Sequence, residues 1–353
     1  MALLLAVLAA LAAPGLVAGP APVGVVINYH HVDDDKPAAV SVRPETFDAH
    51  LDYLEDHGFN VWPLQRLVRT VAAGAEVPGR TVALTFDGGS ASLRDVVWPR
   101  LRERGWPFTV FVAPEQIDAG DEAYVDWDDL RAMADDGATI ASLSAAHEHL
   151  TQPRDDESEA EWRARVREQI ATGQQRLAAE IGEAPPLFAW PYGEFSPAAQ
   201  ELLEEKGLVG FGLQSGPFGP ESDFTALPRF PMAVGFDDLE SFALKLRTRP
   251  LPVEATDPAS GVMHPEDPEP VLELELGDAG FARTELGCYS RGEALALEEV
   301  AANGERLRVT GDAIEAPGRV RFVCTAPARE GDHWYWYSFQ WMMPQADGSW
   351  YEG

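Results

Sequence analysis

Residues 81–89 read TVALTFDGG, an apolar run that ends in a carboxylate, Asp87, followed by two glycines, Gly88 and Gly89. A short run bounded by glycine predicts a strand buried on both faces, the kind that parallel sheets contain. Similar patterns extend outward from it. Upstream, VGVVINY (23–29) is a second buried-strand pattern, and TFDAHLDYLED (46–56) carries apolar residues at helical spacing with Gly58 close behind. Downstream the sequence predicts a helix over 90–104, a strand over 107–112, a helix over 126–135 and a strand over 139–142. A long charged helix over 158–180, a strand over 187–189, a helix over 197–206 and a strand over 209–213 follow. Such alternation implies parallel strands covered by helices, hence an α/β barrel or a doubly wound sheet.

The pattern changes near residue 250. A proline-rich, acidic stretch over 250–270 reads as a linker, and short strand signals follow at 271–276, 307–310, 319–326 and 333–342. The predicted organisation is a first domain over 22–249 and a small all-β domain over 271–353, with Cys288 and Cys324 as a candidate disulfide. Within HWYWYSFQW (333–341), Tyr335, Tyr337, Phe339 and Trp341 share one strand face, and Trp334 and Trp336 share the other. Two-sided burial explains that pattern, and so does one face kept as a sugar-stacking platform. Residues 1–17, MALLLAVLAALAAPGLV, are uncharged and too short for a comfortable membrane span, which predicts a signal peptide over 1–21 and an exported, periplasmic or secreted protein. No later segment is apolar and long enough to cross a membrane.

Of the 353 residues, 58 are Asp or Glu and 27 are Lys or Arg, a formal charge of -31. Nucleic acid and anionic membrane surfaces are poor partners for such a chain, since both attract positive charge. Only three of the basic residues are lysines (Lys36, Lys206 and Lys245), the balance of a surface suited to high salt.

Four segments with chemical potential fall at the carboxyl ends of predicted strands, where α/β folds place their sites. They are Tyr29-His30-His31, Asp87-Gly88-Gly89, the run from Ser142 through His147 to His149, and Trp190-Pro191-Tyr192-Gly193-Glu194. A carboxylate after one strand and histidines after two others can converge at one mouth. The same residues also fit a capping aspartate, surface histidines and a Pro-Tyr turn.

Taken in order, VVINYHHV, FDAHLDYLEDHGF, ALTFDGG, WPFTVFV, ASLSAAHEHL, FAWPYGEFSP and LPRFPM resemble the polysaccharide deacetylase family, the NodB-homology fold of carbohydrate esterase family 4, over about 23–250. The likeness is greatest to the exported branch that acts on poly-N-acetylglucosamine. The resemblance implies a distorted (β/α)7 barrel in which a divalent metal, usually zinc, activates water for N-deacetylation, the hydrolysis of an amide C–N bond. It implies that Asp87 is the general base and His30 the general acid. It also implies that Tyr192, with Pro191 and Trp190, forms the substrate groove, Tyr192 offering a backbone contact to the oxyanion. An arginine carried by many relatives just before that turn is replaced here by Ala189.

Two of the three metal-ligand positions implied by the resemblance are replaced, by Gly88 and Leu143, leaving His147 as the remnant. Catalytic zinc takes about three protein ligands, and water without a metal keeps a pKa near ~15.7, so both binding and nucleophile suffer. The sequence thus predicts a protein that binds N-acetylated or partly de-acetylated polysaccharide, with zinc lost or weakly held and hydrolysis lost or impaired. Two rivals stand beside that reading. One is an active enzyme whose ligand set is rebuilt from Glu148, His149 or His31, and the other is a non-catalytic structural partner in an envelope assembly.

Overall fold

The computed structural model describes residues 21–351 except 155, 278–279, 302–303 and 348. The expected signal peptide lies outside the described residues, apart from Ala21. Strand β1 (Val26–Tyr29) is followed by the short pair β2 (His31–Val32) and β3 (Ser41–Val42), helix α1 (Pro44–Asp56), strand β4 (Asn60–Val61) and helix α2 (Leu64–Ala72). Then come β5 (Thr81–Asp87), α3 (Trp98–Arg104), β6 (Thr109–Val112), α4 (Pro114–Asp118), α5 (Trp127–Asp135), β7 (Thr139–Ser142) and α6 (Glu159–Ile181). The set closes with β8 (Leu187–Ala189), α7 (Pro197–Glu204), β9 (Val209–Phe211), β10 (Phe230–Pro231) and α8 (Leu239–Lys245). The strands form one parallel sheet in the order β10-β1-β5-β6-β7-β8-β9, with β4 on the side of β5. This is a seven-stranded half-barrel wrapped by helices, the distorted (β/α)7 arrangement.

Register sets the level of the site. Tyr29 pairs with Phe86, Asp87 with Phe111 and Val112 with Ser142, so the carboxyl ends of β1, β5, β6 and β7 finish on one rim. Alternation then decides which side chains point inward. On β5, Val82, Leu84 and Phe86 join the helix-facing core, whereas Ala83 joins the inner cluster with Val26, Phe111, Ala141, Leu143, Ala189 and Phe211. The same alternation turns Thr85 and Asp87 inward, and Asn28 on β1 with them. The barrel interior is therefore apolar at its floor and polar beneath its rim. Sheet edges β9 and β10 do not pair directly; residues 212–229 close the seam, Gly212 N donating to Leu227 O and Arg229 N to Gln214 O.

Beyond the barrel lie β11 (Thr248–Pro250), β12 (Val253–Asp257), β13 (Val271–Leu276), β14 (Gly287–Ser290), β15 (Glu293–Ala294), β16 (Ala296–Glu299), β17 (Arg306–Thr310), β18 (Gly318–Pro327) and β19 (Trp334–Met343). They make two sheets, β11-β19-β18-β14-β15 and β12-β13-β17-β16, around a separate apolar core. Cys288 and Cys324 form a disulfide between directly opposed positions of β14 and β18. The stretch 250–270, expected to be a linker, is instead structured: Pro250 pairs with Trp336, and β12 pairs with β13. Pro250 sits where the ladder tolerates it, in the edge strand β11, and the other prolines of the stretch lie outside its strands. Strand β19 is buried on both faces: Tyr335, Phe339 and Trp341 lie in the β core, while Trp336 packs edge-on against Phe230 of the barrel.

Candidate functional site

The inner half of the rim is organised by Asp87. Its two oxygens accept from Arg229 in a two-point clamp, Nη1 to Oδ1 at 2.8 Å and Nη2 to Oδ2 at 2.7 Å. Arg229 is fully buried (0% exposed), its guanidinium flanked by the Phe111 and Phe211 rings. Its remaining donors reach Gly212 O and Asn28 Oδ1, at 3.0 Å each, and Thr85 Oγ1 donates to the same Asn28 oxygen at 2.8 Å. A buried ion pair recovers its desolvation cost only with bidentate geometry and satisfied neighbours, and this one has both. No arginine stands at Ala189, yet Asp87 has its guanidinium from the seam residue Arg229. The sequence contained a sign of it, because LPRFPM was one of the ordered motifs and the inward position of Asn28 follows from alternation in VVINY.

His30 and Gly88, one of the two positions expected to have lost a metal ligand, sit beside Asp87. His30 Nδ1 lies 2.5 Å from the Asp87 carbonyl oxygen, and its ring is 4.4 Å from that of His31. A Cβ at Gly88 would fall 2.6 Å from His30 Cε1, and the backbone there has φ +92°, a conformation that favours glycine. The His30 imidazole thus occupies the space into which a ligand at position 88 would project. Leu143 is 2% exposed and belongs to the inner barrel cluster with Phe111 and Phe211. His147 keeps a neutral imidazole, its pKa pushed down to about 4 by burial first and by nearby His30 second. Among the described residues, no group of three or more His, Cys, Asp or Glu side chains is arranged to hold a metal ion.

Two of the side chains expected to be able to rebuild a ligand set, Glu148 and His149, are engaged elsewhere. Glu148 pairs with Arg154 at 2.8 Å, and His149 Nδ1 lies 2.6 Å from Glu194 Oε2. His31 packs against His30 with Nδ1 buried and unpartnered. Of the expected groove residues, Tyr192 stands at the rim, its ring 4.4 Å from His147 and 4.3 Å from His149. Trp190 does not reach a groove. It is 1% exposed, packs against Phe188 and donates Nε1–H to Thr225 O, because β8 alternation points it outward beneath α7. Pro191 is buried as well.

The outer half draws on the β region, which sequence reasoning did not connect to the site. Arg319 donates to Tyr192 O at 2.8 Å, and Gln340 donates to Gly193 O at 3.0 Å. Those bonds hold a turn in which Tyr192 has φ +57°, a left-handed conformation uncommon for an aromatic residue.

A carboxylate and imidazoles on the carboxyl rim of a parallel half-barrel stand where α/β-barrel enzymes place their active sites. Residues 74–211 match the model of the polysaccharide deacetylase family, and the chain carries a domain of that family. Over 260 residues it is 24% identical to the poly-β-1,6-N-acetyl-D-glucosamine N-deacetylase of Escherichia coli K12, covering 64% of this chain and 38% of that protein. The chain thus spans well under half the length of this relative. Among solved structures, the deacetylase domain of BpsB from Bordetella bronchiseptica is 26% identical, with a TM-score of 0.52 over 61% of this chain and 98% of that one. The Streptococcus pyogenes deacetylase PplD shares the fold at 16% identity, with a TM-score of 0.58 over 64% of this chain and 99% of that one.

Proposed function

We propose that the protein binds N-acetylglucosamine-type polysaccharide, N-acetylated or partly de-acetylated, at the barrel rim, and that metal-dependent N-deacetylation is lost or impaired. One observation supports the reading: of the two positions where the resemblance expects a lost ligand, Gly88 faces the His30 ring and Leu143 lies in the barrel core. A bound divalent metal supplies such reactions with an acidic water and a Lewis acid. Here a single neutral imidazole, His147, remains of the three protein ligands that catalytic zinc usually takes. Asp87 and His30 retain acid–base groups, which contribute about 10²–10⁴-fold and do not replace a Lewis acid on an amide. Tyr192 presents a ring at the rim, and the charge of -31 favours a partly de-acetylated, cationic polymer. The exported location expected from the amino-terminal stretch belongs to the same proposal.

The test measures zinc content, acetate release and oligosaccharide binding of the unmodified protein beside a Gly88→Asp/Leu143→His double variant. The expected result is oligosaccharide binding with substoichiometric zinc and no acetate from the unmodified protein. Stoichiometric zinc with acetate release would sink the loss of hydrolysis. Absence of binding to any N-acetylglucosamine oligosaccharide would sink the glycan reading. Because a side chain at 88 meets His30, the double variant regains metal only if that ring moves aside.

A further inference from the structure

Residues Trp350 and Tyr351, beyond the last strand, fold back onto the rim. The Trp350 ring lies nearly parallel to His149, with centroids 5.6 Å apart and planes 12° apart, and His149 in turn stacks on Tyr192 at 4.3 Å and 18°. The segment is fastened by Glu194, a carboxylate with no exposed surface. Tyr351 donates its hydroxyl to Glu194 Oε1 at 2.5 Å, and His149 Nδ1 lies 2.6 Å from Oε2. Burial and the adjacent carboxylate push the Tyr351 hydroxyl well above its ordinary pKa, so it remains a donor. Arg319 stands 3.5 Å from Glu194 Oε1 while holding the Tyr192 carbonyl. One buried carboxylate therefore joins three separate segments: the loop after β7, the turn after β8 and the stretch after β19.

Two features give this assembly a ligand-facing role rather than a packing role alone. The rings of Tyr192, His149 and Trp350 form a continuous stack that starts at the groove residue Tyr192, and aromatic faces stack on the apolar faces of sugar rings. The Trp350 indole Nε1–H is buried and has no acceptor among the described residues, an unfavourable state that a ligand oxygen can relieve.

We propose that Trp350, latched through Tyr351 to Glu194, is a specificity-determining residue of the glycan site: it stacks on an N-acetylglucosamine unit beside Tyr192 and donates its indole N–H to an acetamide or hydroxyl oxygen. This rests on the glycan-binding reading above and adds a residue from outside the barrel to it. Glu194 is the positioning residue of the arrangement, and Tyr351 its tether.

The test is calorimetric titration of the full chain with a β-1,6-linked N-acetylglucosamine pentasaccharide, together with ligand quenching of tryptophan emission. Trp350→Ala is expected to weaken binding about tenfold, the size of one aromatic stacking contact. Trp350→Phe, which keeps a ring and loses the N–H, falls between parent and Trp350→Ala. Tyr351→Phe, which releases the latch and keeps the ring, weakens binding about threefold, a partial loss of preorganisation. The two Trp350 variants keep the parent melting temperature, which separates lost contact from lost fold, and Tyr351→Phe lowers it by a few degrees because buried Glu194 loses a donor. Parent affinity in Trp350→Ala, or tighter binding that marks the segment as a plug, would overturn the proposal and leave the glycan reading standing. Absence of binding by the parent would overturn both.

Discussion

The inner and outer halves of the rim are each built on a buried carboxylate, Asp87 and Glu194, but the two are secured differently. Asp87 is clamped by a full guanidinium charge that comes from the barrel's own seam. Glu194 is held mainly by an imidazole and a phenol, with Arg319 at 3.5 Å, and two of those three groups come from beyond the barrel. The inner half is thus part of the fold's polar core and stands or falls with it. The outer half is a junction, where a change in one region alters what the other presents. The order of the inner half follows from this contrast: the Asp87 charge is satisfied by the Arg229 guanidinium.

The largest expected effect breaks the inner half. Arg229→Met leaves the Asp87 charge buried and unpaired, and urea titration should show a loss of about 4 kcal/mol. Pairing it with Asp87→Leu should return much of that loss, because no orphan charge remains. Equal losses in single and double variants would place the stabilisation in packing instead of charge. Next is the Cys288–Cys324 bond, which belongs to the β region alone and closes a separation of 36 residues. Reduction is expected to cost about 3 kcal/mol. Hydrogen exchange should locate the loosening in β14 and β18 and, through β19, at Tyr192.

Acid should act on the support of the inner half. Tyr29, which precedes His30, donates to His50 Nδ1 at 3.0 Å, while His50 Nε2 donates to Asp237 O at 2.7 Å. Burial pushes His50 down from 6.5 to about 4. The unfolded chain therefore takes up its proton first, so the contribution is complete above pH 6.5 and is lost as pH falls toward 4. Its size is on the order of 2 kcal/mol, read from the pH dependence of the urea midpoint and flattened in His50→Gln. The smallest effect concerns Gly88→Ala, expected to destabilise by about 1 kcal/mol through its left-handed backbone and its approach to His30. No change in the urea midpoint would mean that His30 yields freely, and metal-site reconstruction would then be easier than the geometry implies.

The parallel strands were legible because apolar runs such as TVALTF have one structural solution, and the helices because their apolar residues recur at helical spacing. Asp87, His30, His147 and Tyr192 were legible through motif order, and the structure gathers them on one rim. Trp190 was misread because adjacency in FAWPYGEF conveys neither the alternation that turns Trp190 outward after β8 nor the left-handed turn that carries Tyr192 to the rim. The strands within 250–270 were missed because the prolines in and around them look like linker chemistry. Arg229, Arg319, Glu194, Trp350 and Tyr351 escaped as partners because their contacts span up to 201 positions, a distance at which local pattern carries no information.

Strand β19 gives the molecule a property that neither region has alone. One side of this ribbon belongs to the β core, and the other covers the barrel seam through Trp336, Phe230, Ser215 and Ser338. An excised barrel would present an uncovered aromatic seam to water, and an excised β region would present a row of stranded indoles. Heat or denaturant should therefore meet one cooperative transition instead of two, and fragments cut near residue 250 should associate when mixed.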